Sequence, residues 1–498
     1  MLVLVVLVSA IVPATVVRGA RAQSTQGVAA FQWTDIATER GDRLPNFSFC
    51  GYHASEQPLP SDATQPSVSL DATKGDQTQR IQDALDETAA AGGGVVILGE
   101  GDFVVSSKGL TVPSGVVLRG AGVGLTQLKL SELGAEPAIS FGSGTTIPSV
   151  PPLHFTNIVD QYVPIGASQV TADNTTGLSP GDRVFIQRQV TGQWVRANGM
   201  GDLSLNGKEQ TWLGVDAVVR QPREIKSIHG NTVTLDIPLT DALDTFQNYM
   251  SPVLVAFMPP NASSEMGVEH LSLSLSPTCS GAPLNTHCDN PAISFSPWTT
   301  SSWARNLEIA GFNAFVIVQY NTSRITLQNV SMIRDADATD HDNTDRALPA
   351  DILIQGTQIL VQDCAQRGLS TARSFAVMTG SLVAGPNAVL RHKTASDNQT
   401  IVPHQRWAHG FLVEDTEAQV RFFNRATNGT GHGWAINAGV GWNLRGTVLV
   451  QSPPLGVNWC VGCSGTVDER GNGTFVERGQ EVVPKSLFEK QLADRKGK

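Results

Sequence analysis

The pattern of apolar and polar positions changes character several times along the chain. An apolar run, MLVLVVLVSAIV, with Ser9 as its one polar residue, opens it and leads to Ala20-Arg21-Ala22, a small-x-small cleavage pattern before Gln23. This predicts a signal peptide over residues 1–22 and a secreted, extracellular protein. A membrane anchor is the alternative, but the run is short, Pro13 breaks it, and no second run of spanning length follows. Residues 23–66 are polar and turn-rich, an extended segment. In GDQTQRIQDALDETAAAGGG, Ile81, Ala84, Leu85 and Thr88 share one face at helical spacing, and Gly92-Gly93-Gly94 stop the helix. VVIL then reads as a buried strand, and LTVPSGVVLRGAG as two short strands parted by a turn. Residues 67–144 are therefore read as a cap with the first coils.

From about residue 265, short β-type segments recur: GVEHLSLSL, RNLEIAGFN, RITLQNVSM, QILVQDCAQ, NAVLRHKTA, QVRFFNRAT and VGWNLRGTV. Their starts lie roughly 20–35 residues apart, a period that predicts a solenoid with one supersecondary unit per repeat. Short apolar strands between polar turns make it a parallel β-helix, with residues 263–465 as its main body. A β-sandwich would prefer tight hairpin signals such as Asn-Gly, and few are present. Residues 145–262 break the pattern with SPGDRVFIQRQV and REIKSIHGNTVTLD, read as an inserted β subdomain or elaborated coils. Residues 466–498 form a tail with a short helix, SLFEKQLADR.

The segment GDQTQRIQDALDETAAAGGGVVILGEGDFVV resembles the opening of secreted pectate-lyase-superfamily proteins. The series PHQRWAHG, NRATNGTGHGW, GWN and PPLGVNWCVGC is similar to the C-terminal coils of one branch of that superfamily. The likeness covers roughly residues 45–495. It implies an all-β fold, a right-handed parallel β-helix solenoid with an N-terminal capping helix, and it says little about chemistry.

Composition narrows the function classes. The net charge of −10 argues against a nucleic-acid partner, because a phosphate-binding surface needs a dominant basic face. A local basic groove for an acidic substrate remains open. Six cysteines in an oxidising compartment permit disulfides. Cys279 and Cys288 bracket a Pro/Gly/Asn loop, and Cys460 and Cys463 offer a second pair. Sequons begin at Asn46, Asn174, Asn261, Asn321, Asn329, Asn398, Asn428 and Asn472, as expected of a secreted glycoprotein. No membrane partner is expected, and a monomer is.

With only 16% charged residues, one concentration of cations stands out. Arg391, His392, Lys393, His404, Arg406, His409, Arg425 and His432 lie in three consecutive coils. Grouped like charges repel unless something anionic sits among them. Salt bridges to Glu414, Asp415 and Glu417 would be one answer. A groove for a polyuronate is the other, with His392, His409 and Asn424 as further contacts and Trp407, Trp434 or Trp442 offering a face to sugar rings. Each tryptophan alone is more often core. β-Elimination from a uronate needs its carboxylate neutralised, a base for the C5 proton and a donor for the leaving O4. Lys393 or His404 would be the base, Arg406 or Arg425 the neutraliser and His432 the acid. His404 and His432 are 28 residues apart, about one coil, so stacking should return them to the same side. Aligning LVQDC, VLRHK, RFFNR and VGWNL stacks Asp363, His392, Asn424 and Asn443 in one column, with Lys393 and Arg425 in the next. A slip of one residue would exchange the faces.

Two readings compete with a lyase. Asn343-Thr344-Asp345, Asp363 and Gly431-His432-Gly433 echo the motifs of β-helical polygalacturonases, but the paired Asp and the Arg-Ile-Lys are missing and Gly-His-Gly comes several coils too late. A non-catalytic cell-wall carbohydrate-binding protein is the third reading, since fold does not fix function. In DADATDHDNTD, Asp335, Asp337, Asp340 and Asp342 supply hard oxygen ligands, which makes calcium the one candidate cofactor. The EF-hand Gly and terminal Glu are absent, so a solvated loop is the alternative.

Overall fold

A computed structural model describes residues 31–61, 66–142, 152–281, 287–336 and 348–497. Its strands wind as a right-handed parallel β-helix. Among the described residues, one sheet has 16 strands and another nine, and in both every pairing is parallel. Parallel stacking puts like positions of successive coils above one another. In the long sheet Val96, Leu118, Val268, Ala304, Leu327, Val361, Val389, Val413, Gly441 and Cys460 form one inward column. In the short sheet Leu110, Ile139, Ile293, Val316, Ile352, Val377, Ile401, Val420 and Val448 form another. The apolar members of both belong to a single buried cluster that runs the length of the solenoid. Area removed from water along such a column, at roughly 25 cal/mol per Å², is the main favourable term.

The open N-terminal end of this core is covered by helix α1, Thr78–Ala90, which buries Ile81, Ala84, Leu85 and Thr88. From the strand Gly267–Leu275 onward, successive coils of the long sheet bend at one residue. His270, Asn306, Asn329, Asp363, Arg391, Asp415 and Asn443 occupy that column, with φ between 50° and 58°. Left-handed backbone is uncommon outside glycine, and Asn and Asp tolerate it best. Neighbours in the column satisfy each other: Asn329 Nδ2 donates to Asn306 Oδ1 at 2.8 Å, and Arg391 Nε to Asp363 Oδ1 at 2.7 Å.

This column corrects the alignment read from sequence. Asp363 and Asn443 do share it, but His392 lies one residue past the bend and points inward, and Asn424 follows a strand of the other sheet, Gln419–Phe422. The sequence alignment passed over Ala408–Glu414, whose seven residues are all buried and show no alternation.

Within the stretch 152–257 the pairing is antiparallel, in a six-stranded sheet with its own apolar core. This insertion also carries helix α2, Gly192–Ala197, and a hairpin pairing Ser204–Leu205 with Lys208–Glu209. At the other end, helix α3, Leu487–Arg495, covers the outer face of the long sheet. Buried Glu414 accepts from the Leu487 and Phe488 amides at 2.8 and 3.1 Å and from the Ser486 hydroxyl, capping that helix. Gln491 accepts from the Phe47 amide and so clips the N-terminal segment to the same face. Disulfides join Cys279 to Cys288 and Cys460 to Cys463. Among the described residues, no helix is long and apolar enough to cross a membrane.

Candidate active site

The stretch PHQRWAHG leaves the short sheet after Gln399–Pro403 and enters the long sheet at Ala408. Between them Arg406 and Trp407 are both left-handed, with φ of 52° and 59°. Two such residues in succession are strained, and such strain persists where surrounding structure over-determines it. The Arg406 amide donates to the His432 carbonyl at 3.1 Å and the Trp407 amide to the Trp434 carbonyl at 2.9 Å, while the Arg406 carbonyl accepts from Leu382. The turn sends His404 and Arg406 toward one set of neighbours and Trp407 and His409 toward another.

The first set gathers two arginines and two histidines. His404 and His432 meet edge to face, with ring centroids 4.8 Å apart. Arg425 Nη1 donates to the His404 carbonyl at 2.9 Å, and its guanidinium lies 5.9 Å from the Phe375 ring centre. Arg406 Nη2 donates to Thr430 Oγ1 at 2.7 Å, and its Nε to the Trp212 carbonyl of the insertion at 2.8 Å. Burial, then repulsion by Arg425, His432 and Arg406, holds His404 down to a pKa of about 3. Burial and the same two arginines hold His432 at about 4. Burial, with Arg421 close by, brings Arg425 down to about 10. Among the described residues, none of these four side chains forms an ion pair. Arg425 Nε and His432 Nδ1 are buried without a hydrogen-bond partner.

The carboxylates named as counter-charges go elsewhere. Glu414 caps α3, while Asp415 and Glu417 face Arg445. The tryptophans are also reassigned, because their rings are buried rather than offered to a ligand. Trp407 packs against Trp194 and Trp212 of the insertion, Trp434 joins the same cluster, and Trp442 is buried under the terminal segments. Their indole nitrogens donate to Asp241 Oδ1, the Asn198 carbonyl and the Pro484 carbonyl. The glycine of Gly-His-Gly-Trp has a packing reason. At Gly433, with φ of 54°, a Cβ would sit 2.3 Å from Trp212 Cδ1.

His409 belongs to the second set. Its Nδ1 lies 2.8 Å from Thr240 Oγ1 of the insertion. Beside it Asp241, fully buried, accepts from Trp407 at 3.0 Å, Asn437 at 2.8 Å and Arg188 Nε at 3.0 Å. His392 is buried in the solenoid, its Nε2 2.7 Å from Gln366 Oε1, and burial lowers its pKa to about 3. Neither histidine can reach a ligand outside. Lys393 is exposed opposite Ala365 on the long sheet. Asn424 turns its Oδ1 back to the Ala426 amide. Asp335 is exposed and accepts from Thr278 Oγ1 at 3.4 Å; Asp337, Asp340 and Asp342 lie outside the described residues, as does Asn343-Thr344-Asp345. Among the described residues, no group of three His, Cys, Asp or Glu is arranged to hold a metal.

A concavity of about 490 Å³ opens beside the cluster, between Asn206, Lys208, Glu209 and Gln210 of the inserted hairpin and Gly429 and Thr430. A larger one, about 620 Å³, lies against α1, and no histidine or arginine lines it. The part played by Gln210, Trp212 and Lys208 had no signal in the sequence, since they stand some 220 residues from the loop they meet.

Neither known protein-family models nor curated protein sequences give a match. Solved structures similar to the chain include the tailspike of Acinetobacter baumannii bacteriophage AP22 in complex with capsular saccharide, at 12% identity and TM-score 0.42, covering 78% of this chain and 61% of that one. The tailspike of Pseudomonas phage LKA1 has 14% identity and TM-score 0.36, with 78% and 56% covered. The Azotobacter vinelandii mannuronan C-5 epimerase AlgE6 A-module has 12% identity and TM-score 0.33, with 83% and 96% covered. The matched region thus spans less than two thirds of either tailspike. At these values the likeness concerns the winding of the chain, and the site has to be argued from its own residues.

Proposed function

We propose that the protein is a secreted carbohydrate-active enzyme that cleaves a uronate-containing polysaccharide by β-elimination at His404, His432, Arg406 and Arg425. The observation that carries this reading is a pair of half-buried arginines, Arg406 and Arg425, beside two neutral histidines, with no carboxylate among them in the described residues. Arg425 Nε, a donor, and His432 Nδ1 lie buried without a partner, so the chain does not answer the arginine charge here, and a sugar carboxylate would.

The electrostatics support the chemistry. Both histidines are neutral at neutral pH, the form in which imidazole accepts a proton. Burial depresses both most, and the arginines add to it; a carboxylate bound by Arg425, with Arg406 flanking, would offset that repulsion and so strengthen the base when substrate arrives. One imidazole takes the C5 proton; the C5–H electron pair becomes the C4=C5 double bond. The C4–O4 bond breaks with its pair on O4, which takes a proton from water or from the imidazolium just formed, so neutral His432 is not the acid that its sequence position suggested. The arginine stabilises the charge that builds on the carboxylate in between. Hydrolysis by two carboxylates has less support, because no acidic side chain pairs with this cluster among the described residues.

A panel of polyuronates assayed by ultraviolet absorbance tests this. The expected result is an unsaturated product from at least one. New reducing ends without that absorbance would make the protein a hydrolase, and tight binding without turnover a carbohydrate-binding protein. The extracellular location is consistent with two disulfides and with seven exposed sequon asparagines, Asn46 being half-buried. Mass spectrometry should find the mature chain starting near Gln23 and bearing N-glycans.

A further inference from the structure

The cluster is one station on a longer line of positive charge. On one side, Arg421 stands in the strand Gln419–Phe422 that leads into Arg425, near enough to lower its pKa, and its guanidinium lies 5.3 Å from the Phe423 ring centre. On the other side, Arg406 reaches Thr430, and Thr430 with Gly429 forms a wall of the 490 Å³ concavity. Lys208 stands on the facing wall, exposed and without an ion pair among the described residues. Two carboxylates border this line: Glu209 beside Lys208, and Asp468, which is taken up by Arg470 and attracts Arg421 weakly.

The facing wall is held in register with the cluster. Gln210 Nε2 donates to the Gly429 carbonyl at 3.0 Å, and Trp212 Nε1 to the Trp434 carbonyl at 3.2 Å. The Arg406 Nε bond to the Trp212 carbonyl completes three links between the insertion and the loops that carry His404 and His432. Gln210 Oε1 remains buried without a partner at the edge of the concavity.

We infer that the substrate crosses the histidine pair from Arg421 to the inserted hairpin, with Arg421 and Lys208 each binding the carboxylate of a uronate beside the one being cleaved. This rests on the proposed reading of the site. A polyuronate carries a carboxylate on every ring, so cations along its path add affinity with each further unit, and the cation line extends on both sides of the reacting centre. The protein therefore acts within oligomers, and the insertion is the part that sets how many units are held.

The test is a series of oligouronides from trimer to octamer, assayed with wild type, Lys208→Ala, Arg421→Ala and the charge-retaining Lys208→Arg. For each alanine variant the rise in KM should be slight on trimers and about tenfold on hexamers and longer, with kcat little altered and Lys208→Arg close to wild type. Melting temperatures should stay near wild type, since both changes are at the surface. Equal effects at every length, or none at any length while wild type turns over, overturn the inference and leave the cleavage site standing. If wild type neither binds nor cleaves any uronate oligomer, the functional reading fails and the inference with it.

Discussion

His404 and Arg406 are separated from Trp407 and His409 by no more than a few residues, yet the two pairs end in clusters of opposite character. Around Trp407 and His409, the buried Asp241 is met by an arginine, an indole, an amide and a nearby imidazole. Charge is paired there, inside an interface between insertion and coils, although Arg188 Nη1 and His409 Nε2 stay buried without a hydrogen-bond partner. Around His404 and Arg406, the same residue types meet without a carboxylate, half-buried, with donors unused. Cations gathered with their counter-charge hold a structure together. Cations gathered without one leave a charge that an anion from outside could meet, and this is the ground on which the proposed site rests.

The comparison can be broken at either cluster. Asp241→Ala should have the largest effect on stability, about 3–5 kcal/mol, because Arg188 would be left buried and unpaired. Denaturant unfolding reads it, and an unchanged midpoint would mean that the closed cluster is not holding the insertion. Arg425→Ala or His432→Ala should instead cut turnover on the correct polyuronate about 100-fold or more while the melting temperature barely moves. Variants that unfold would make this second cluster structural too.

Gly433→Ala links the two, since its Cβ would drive into Trp212. A loss of about 1–3 kcal/mol is expected from the clash and the left-handed backbone, with activity falling as the hairpin wall shifts. The smallest effect is on pH dependence. His404 and His432 have folded pKa values of about 3 and 4, below the ordinary 6.5, so the unfolded chain binds more protons between pH 6.5 and 4. Their contribution to stability is present above pH 6.5 and lost as pH falls through that window. Glu414, raised to about 7 by burial from 4.5, acts in the opposite direction, its contribution lost as pH rises toward 7. The histidine part is therefore isolated by comparing wild type with a His404→Asn/His432→Asn variant, whose melting temperature should fall less steeply from pH 6.5 to 4.

Local pattern was a good guide wherever one residue's role depended on its near neighbours. The face of α1, the strands at Gly94–Leu98 and Gly267–Leu275, and both disulfides follow from periodicity and short spacing. The approach of His404 to His432 followed from a repeat of about one coil, which is long-range in sequence but periodic. The failures share a cause. Seven consecutive buried residues in Ala408–Glu414 have no alternation to read, because the long sheet is covered on its outer face there by the insertion and the terminal segments. Missing that strand misaligned the later coils, which put His392 and Asn424 in a column that neither occupies.

The chain's own order of residues determined the winding: apolar strands at a coil's spacing, a helix to close the first coil, and bends at residues that accept left-handed backbone. It also determined that cations collect in the late coils. Which of those cations are neutralised was decided only in three dimensions, because Asp241 and Arg188 arrive from an insertion some 166 to 221 residues away in sequence. That excursion obeys no repeat, so no period reveals where it lands. Its landing turned Trp407 and Trp434 from candidate sugar platforms into packing, buried His409 beside Asp241, and left His404, Arg406, Arg425 and His432 half-buried without an acidic partner among the described residues.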